Sequence, residues 1–186
     1  MLNLPNFLTL IRIVAIPFFL VLLSSRLYLD ALAVFIVGAL TDALDGAVAR
    51  WTNQKTSLGA HFDPVADKLL LMSSFIMLGV LDGVPLWFVV LVVSRDVVIL
   101  FGYIVIYLLV EERLEVQPTI IGKLSTIFQL VTVGVILVML SEPQLFNPWL
   151  DDVLIILTAA TTAVSGLQYL YRGLLWLQTR APSPTR

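Results

Sequence analysis

The sequence predicts an all-α membrane protein with six transmembrane helices, both termini cytoplasmic and an active site at the cytoplasmic interface. Three observations carry that expectation. Of the 186 residues, 59% are hydrophobic and only 13% charged, with a mean hydropathy of +0.98, an apolar excess that no soluble domain of this size needs. The excess is gathered into stretches close to the ~20 residues of a membrane-crossing helix. Those stretches are continuously apolar and do not alternate, which favours helices over barrel strands.

Six such segments follow in order. The first, 6–24, opens after Pro5-Asn6, a natural helix start, and carries Asn6, Thr9 and Arg12 at helical spacing. The second, 29–48, ends on Asp42 and Asp45, and the third, 61–80, begins with Asp63 and Asp67. The fourth, 85–110, holds Ser94-Arg95-Asp96 well inside apolar sequence. The fifth and sixth cover 122–141 and 152–175. The connections are short: 24–26, 49–60, 81–83, the acidic 111–121 with Glu111, Glu112 and Glu115, and 142–151 with two prolines. No linker or repeat divides the chain, so 1–175 is expected as one membrane domain and 176–186 as a short C-terminal tail. The N-terminus lacks a basic region ahead of its apolar run and reads as retained. With no cysteine, disulfides and thiolate chemistry are excluded.

Six spans put both termini on one side. That side collects Arg50, Lys55, Arg113, Lys123, Arg172, Arg180 and Arg186, against Arg26 alone on the other. The positive-inside rule makes the richer side cytoplasmic. All four aspartates then meet at that interface. Trp51, Trp87, Trp149 and Trp176 fall near span ends, where interfacial anchoring explains them better than base stacking, and no nucleic-acid partner is expected.

Carboxylates near a bilayer core persist where they pair, bind cations or line a wet cavity. Asp42 and Asp45 are three apart and Asp63 and Asp67 four apart, so each pair shares a helix face. Two such faces would offer four hard oxygen ligands to Mg2+ or Mn2+. His61 lies between the pairs but is a poor ligand for such ions. Gly46, Ala49 and Gly59 have a plain reading as close helix packing; between carboxylates they also leave room for a ligand against the backbone. Arg50 adds a charged fork suited to phosphate. Together these features suggest a pyrophosphate-bearing substrate.

Residues 42–67 read D-x2-D-G-x2-A-R-x8-G-x3-D-x3-D, which matches the complete signature of the CDP-alcohol phosphotransferase family, with Asp42, Asp45, Gly46, Ala49, Arg50, Gly59, Asp63 and Asp67 all in place. The likeness extends to N-L-P-N-x-L-T-x-x-R at 3–12 and G-K-x-x-T-x-x-Q at 122–129. The resemblance implies transfer of a phosphatidyl or related group from a CDP-linked lipid, CDP-diacylglycerol, to an alcohol, with release of CMP. It implies two Mg2+ or Mn2+ ions held by Asp42, Asp45 and Asp63, with Asp67 contributing as ligand and acting as general base. It also implies that Gly46, Ala49, Arg50 and Gly59, joined by Asn6 and Thr9, line the CDP-lipid pocket. A homodimer in the bacterial or mitochondrial inner membrane, with its site facing the cytoplasm or matrix, completes what the likeness implies.

The acceptor is expected to be a lipid or a polyol phosphate. R-D-V-x-I from Arg95, Pro118-Thr119-x-Ile121 and T-A-x-T-T at 158–162 resemble CDP-alcohol-type cardiolipin synthases, which use phosphatidylglycerol. Arg95 and Asp96 are candidate acceptor contacts, with an internally neutralised packing pair as the plainer alternative. Lys123 and Arg12 are further candidates. Arg12, Arg50, Lys68, Arg95 and Lys123 could converge from different helices, which keeps glycerol 3-phosphate as an alternative acceptor and phosphatidylglycerophosphate synthesis as an alternative reaction. A divalent-cation or proton transporter would also place carboxylates in helices. Here, however, the acids cluster once, at one interface.

Overall fold

A computed structural model describes residues 4–52, 59–109, 119–145, 147 and 149–180. The side chains of 4–10, 12, 42–52, 59–67, 103–109, 145 and 176–180 lie outside that description. The chain forms α1 (Leu4–Ser24), α2 (Tyr28–Thr52), α3 (Gly59–Val80), α4 (Leu86–Leu109), α5 (Ile120–Ser141) and α6 (Leu150–Arg180), with a 3-10 turn at Pro143–Leu145. All six expected helices are there.

Most of their ends fall within one or two residues of the apolar segments, and the C-termini of α2 and α6 run further. Residues 49–52 and 59–60, expected in a loop, are helical; at 49–52 Ala49 and Arg50 are strong helix formers that hydropathy alone discounts. Helix α6 continues past residue 175 to Arg180.

Two connections close by the same device. Arg26 takes a left-handed φ of 59° while the Leu27 N–H reaches back to Leu22 O at 3.0 Å. Asp82 takes φ 57°, and the Gly83 N–H reaches Leu78 O at 2.8 Å. Each is a Schellman ending that satisfies carbonyls orphaned at a helix C-terminus. They turn α1 back into α2 and α3 back into α4. At α5 the Thr119 side chain accepts from the Gly122 N–H at 2.9 Å, capping one orphan donor.

Helix α1 packs on α2 and α3, α3 on α4, α2 on α5, and α6 on α4 and α5. Phe19, Phe35, Phe75, Phe88, Val92 and Leu137 fill the core, with Phe75 and Phe88 edge to face at 5.4 Å, a favoured aromatic geometry. The surface is unlike that of a soluble bundle. Ile120 is 78% exposed and Leu86 72%, while Ser74, Asp96, Ser125, Gln129, Thr132, Thr158 and Thr162 are fully buried. Apolar outside with small polar groups between helices is the pattern that lipid surroundings select. Among the described residues, two helical stretches, Ile120–Ser141 and Leu150–Leu175, are long and apolar enough to cross a bilayer. Those two stretches support membrane association.

Candidate active site

The aspartate motif lies on two helix ends. Helix α2 is continuous through Asp42, Asp45, Gly46, Ala49 and Arg50, so positions 42, 45, 46 and 49 fall along one face at i, i+3, i+4 and i+7. Helix α3 begins at Gly59 and carries Asp63 and Asp67, placing 59, 63 and 67 one above another at i, i+4 and i+8. These side chains, with those of Arg50 and His61, lie outside the described residues, as do those of Asn6, Thr9 and Arg12 on α1. The donor set fits a hard divalent cation in kind: all carboxylate oxygen, in pairs at one-turn spacing on helices that touch each other.

One residue beyond Asp67 the side chains are described, and a buried ionic cluster begins there. Lys68 Nζ donates to Asp96 Oδ1 at 2.9 Å. Arg95 Nη1 donates to the same oxygen at 2.6 Å, and Arg95 Nη2 donates to Ser165 Oγ at 2.6 Å. The guanidinium carbon stands 5.7 Å from the centre of the Tyr169 ring, within reach of a cation–π attraction. The Tyr169 hydroxyl in turn accepts from the Thr119 N–H at 3.3 Å. Gly166 lets Arg95 lie close: a Cβ there would stand 3.3 Å from Arg95 Cγ. The cluster thus ties α3, α4 and α6 to the start of α5.

Its charge sum is two cations against one carboxylate. Asp96 is fully buried and Arg95 nearly so, whereas Lys68 keeps 18% of its side chain exposed. Among the described residues, Arg95 Nε and Asp96 Oδ2 have no hydrogen-bond partner. Arg95 and Asp96 thus pair within one helix, and among the described residues the cluster holds one more cation than carboxylate. Lys123, the other described acceptor candidate, is exposed on α5.

A second polar system joins α5 to α6. Ser125 and Thr162 hydroxyls lie 3.1 Å apart, Gln129 Nε2 donates to Thr162 Oγ1 at 3.2 Å, and Thr132 and Thr158 hydroxyls meet at 2.7 Å. Sequence reasoning did not assign this ladder, nor Ser165 and Tyr169. A signal was present: Thr158, Thr162, Ser165 and Tyr169 recur at i, i+4, i+7 and i+11, a polar stripe on an otherwise apolar helix. Gly122, Ser125, Gln129 and Thr132 form the facing stripe on α5.

Comparison with known proteins bears on the chemistry. The family model for CDP-alcohol phosphatidyltransferase matches residues 2–169. The probable phosphatidylglycerophosphate synthase of Mycobacterium tuberculosis is 35% identical over 181 residues, covering 92% of this chain and 82% of that protein. The CDP-diacylglycerol–glycerol-3-phosphate 3-phosphatidyltransferase of Bacillus subtilis is 31% identical over 195 residues, covering 96% and 99%. The CMP-forming cardiolipin synthase of Homo sapiens is 32% identical over 190 residues, covering 92% and 62%.

Proposed function

Because the chain belongs to the CDP-alcohol phosphatidyltransferase family, we propose that it transfers a phosphatidyl group from CDP-diacylglycerol to phosphatidylglycerol, forming cardiolipin and releasing CMP. The acceptor hydroxyl oxygen forms a bond to the phosphorus that carries diacylglycerol. The bond from that phosphorus to the CMP oxygen breaks, and the hydroxyl proton passes to Asp67. Asp42, Asp45, Asp63 and Asp67 would hold Mg2+ or Mn2+, which would supply charge neutralisation for the pyrophosphate and its leaving group. Gly46, Ala49, Arg50 and Gly59, with Asn6 and Thr9, bind the CDP portion. The small positions on one face of α2 leave space for it, and Arg50 pairs with phosphate.

The acceptor reading rests on one observation. Lys68 and Arg95 both spend a donor on Asp96 Oδ1, and Arg95 spends another on Ser165. A phosphate monoester dianion needs several uncommitted cations to offset its desolvation. Phosphatidylglycerol carries only a diester, and its chains stay in lipid. Glycerol 3-phosphate is the second reading, favoured by the cluster's surplus positive charge and by the names of the Mycobacterium and Bacillus relatives.

The same proposal takes all six helices as spans, with 1–175 as one domain, both termini and the aspartates at the cytoplasmic or matrix face, and two copies forming a homodimer. The lopsided distribution of Lys and Arg supports that orientation. An acceptor panel tests the function: purified protein, CDP-diacylglycerol and Mg2+ or Mn2+, with lipid products resolved by mass. Cardiolipin from phosphatidylglycerol supports the proposal. Phosphatidylglycerophosphate from glycerol 3-phosphate alone moves it to the second reading. No CMP release with either acceptor would favour the transport alternative.

A further inference from the structure

Helices α2 and α3 meet at Gly38. A Cβ there would stand 3.0 Å from Leu70 Cδ2, inside the ~3.5–4.0 Å of a relaxed carbon contact. Both residues are buried, Leu70 with 4% of its surface exposed, so the contact has little room to give. Among the described residues, α3 leans chiefly on α1 and α4 and touches α2 lightly, which leaves much of the α2–α3 spacing to this one contact. Six residues separate Thr52 from Gly59, a stretch of chain that reaches at most ~25 Å. With Gly38 against Leu70, a parallel pair would set Thr52 and Gly59 ~38 Å apart at 1.5 Å per residue, so the helices run antiparallel. Counting away from the contact, position 42 then falls level with 66, beside Asp67, and position 45 level with Asp63. Positions 38, 42 and 45 share a face of α2, and 63, 67 and 70 share a face of α3.

We infer that Gly38 and Leu70 are positioning residues whose contact sets the distance between the two aspartate pairs, and with it the divalent cation those pairs select. The assignment rests on the metal reading above and brings in two residues outside the 42–67 motif. Glycine at a helix crossing is ordinary packing in membranes, but this crossing lies only one turn from Asp42 and Asp67, on the face that carries them. A methyl group at position 38 would part the helices by about 0.5 Å to reach a relaxed contact, which equals the tolerance of a preorganised site. Helix α3 cannot roll freely to relieve it, because Lys68 is tied to Asp96 of α4 at 2.9 Å. Mg2+ demands near-ideal octahedral geometry at ~2.0–2.1 Å, whereas Ca2+ accepts irregular sets of oxygens at ~2.3–2.6 Å. Wider spacing should therefore penalise Mg2+ more than Ca2+.

The test reads metal binding by the full chain in detergent after removal of metal with a chelator. Mn2+ binding is followed by electron paramagnetic resonance, and Mg2+ and Ca2+ affinities by competition. Gly38→Ala should weaken Mg2+ binding about tenfold, the lower end of what a change beside the ligands does, and Ca2+ binding by less than about threefold. Its Tm should not fall with the affinity, because alanine is the better helix former. Adding Leu70→Val, whose shorter side chain makes room for the new methyl, should restore Mg2+ affinity to within about threefold of the parent even where its Tm is lower. Gly79→Ala is the packing control: its Cβ would stand 2.8 Å from Val89 Cγ2, about 18 Å along α3 from Asp67. It should lower Tm and leave both metal affinities unchanged. Equal losses for Mg2+ and Ca2+, the same loss in Gly79→Ala, or no recovery with Leu70→Val would each overturn the assignment. A parent that binds Mn2+ and a Gly38→Ala protein that matches it would overturn the spacing role alone. A parent that binds no Mn2+ would overturn the metal reading and the spacing role with it.

Discussion

Replacing Asp96 with alanine removes the one carboxylate, among the described residues, in contact with both Lys68 and Arg95. Breaking a buried ion pair by deleting one partner costs about 3–5 kcal/mol, because the other charge is left uncompensated. The two cations do not share that cost equally. Lys68 retains some exposure and can extend toward solvent. Arg95 is only 6% exposed and, among the described residues, keeps the Ser165 hydroxyl and the Tyr169 ring. The loss should therefore fall near the lower figure, about 3 kcal/mol, which for a chain of this length lowers Tm by about 6–12 °C. Thermal unfolding of purified protein in detergent reads it. Adding Arg95→Met to Asp96→Ala should recover most of the loss, since an apolar replacement removes the stranded charge. Adding Lys68→Met should recover little. A Tm within about 2 °C of the parent for Asp96→Ala, or equal rescue by the two second-site changes, would refute the assignment of Arg95 as the charge that Asp96 holds.

Three further outcomes are expected. Asp67→Asn should keep CDP-lipid binding, because the amide preserves size and one oxygen ligand, but lose transfer by at least about a hundredfold; turnover near the parent's would remove Asp67 as base. Asp42→Ala or Asp63→Ala should weaken Mn2+ and CDP-diacylglycerol binding together, and normal donor affinity in metal-containing buffer would show that these residues are not ligands. Thr162→Val deletes the hydroxyl shared by Ser125 and Gln129 and should cost about 1–2 kcal/mol, the scale of hydrogen bonds between membrane helices, read as a lower Tm with unchanged KM.

Much of this architecture was legible in the sequence, since hydropathy and helix length suffice to find α1 to α6. The ends were less legible. Hydropathy stops where charges begin, but helix propensity does not, so α2 runs on through Arg50 to Thr52 and α6 on to Arg180. The aspartate stripes were readable because 3.6-residue periodicity needs no tertiary information. The partners of Arg95 were not. Adjacent helical residues do not normally face each other, yet the long Arg95 side chain folds back onto Asp96 Oδ1, an oxygen that also accepts from Lys68, 28 positions away, while Arg95 donates in turn to Ser165, 70 positions from it. Such contacts depend on which helices pack together, which no local pattern states. The polar stripes of α5 and α6 each had a visible period, but only the packing shows that they face each other.

One isotope measurement bears most directly on the central claim. CDP-diacylglycerol labelled at the phosphorus next to diacylglycerol is incubated with the protein, Mg2+, phosphatidylglycerol and glycerol 3-phosphate together, and the label is followed into lipids and CMP. Label entering cardiolipin one for one with unlabelled CMP is the predicted result. Label entering phosphatidylglycerophosphate, or none leaving the donor, would contradict it.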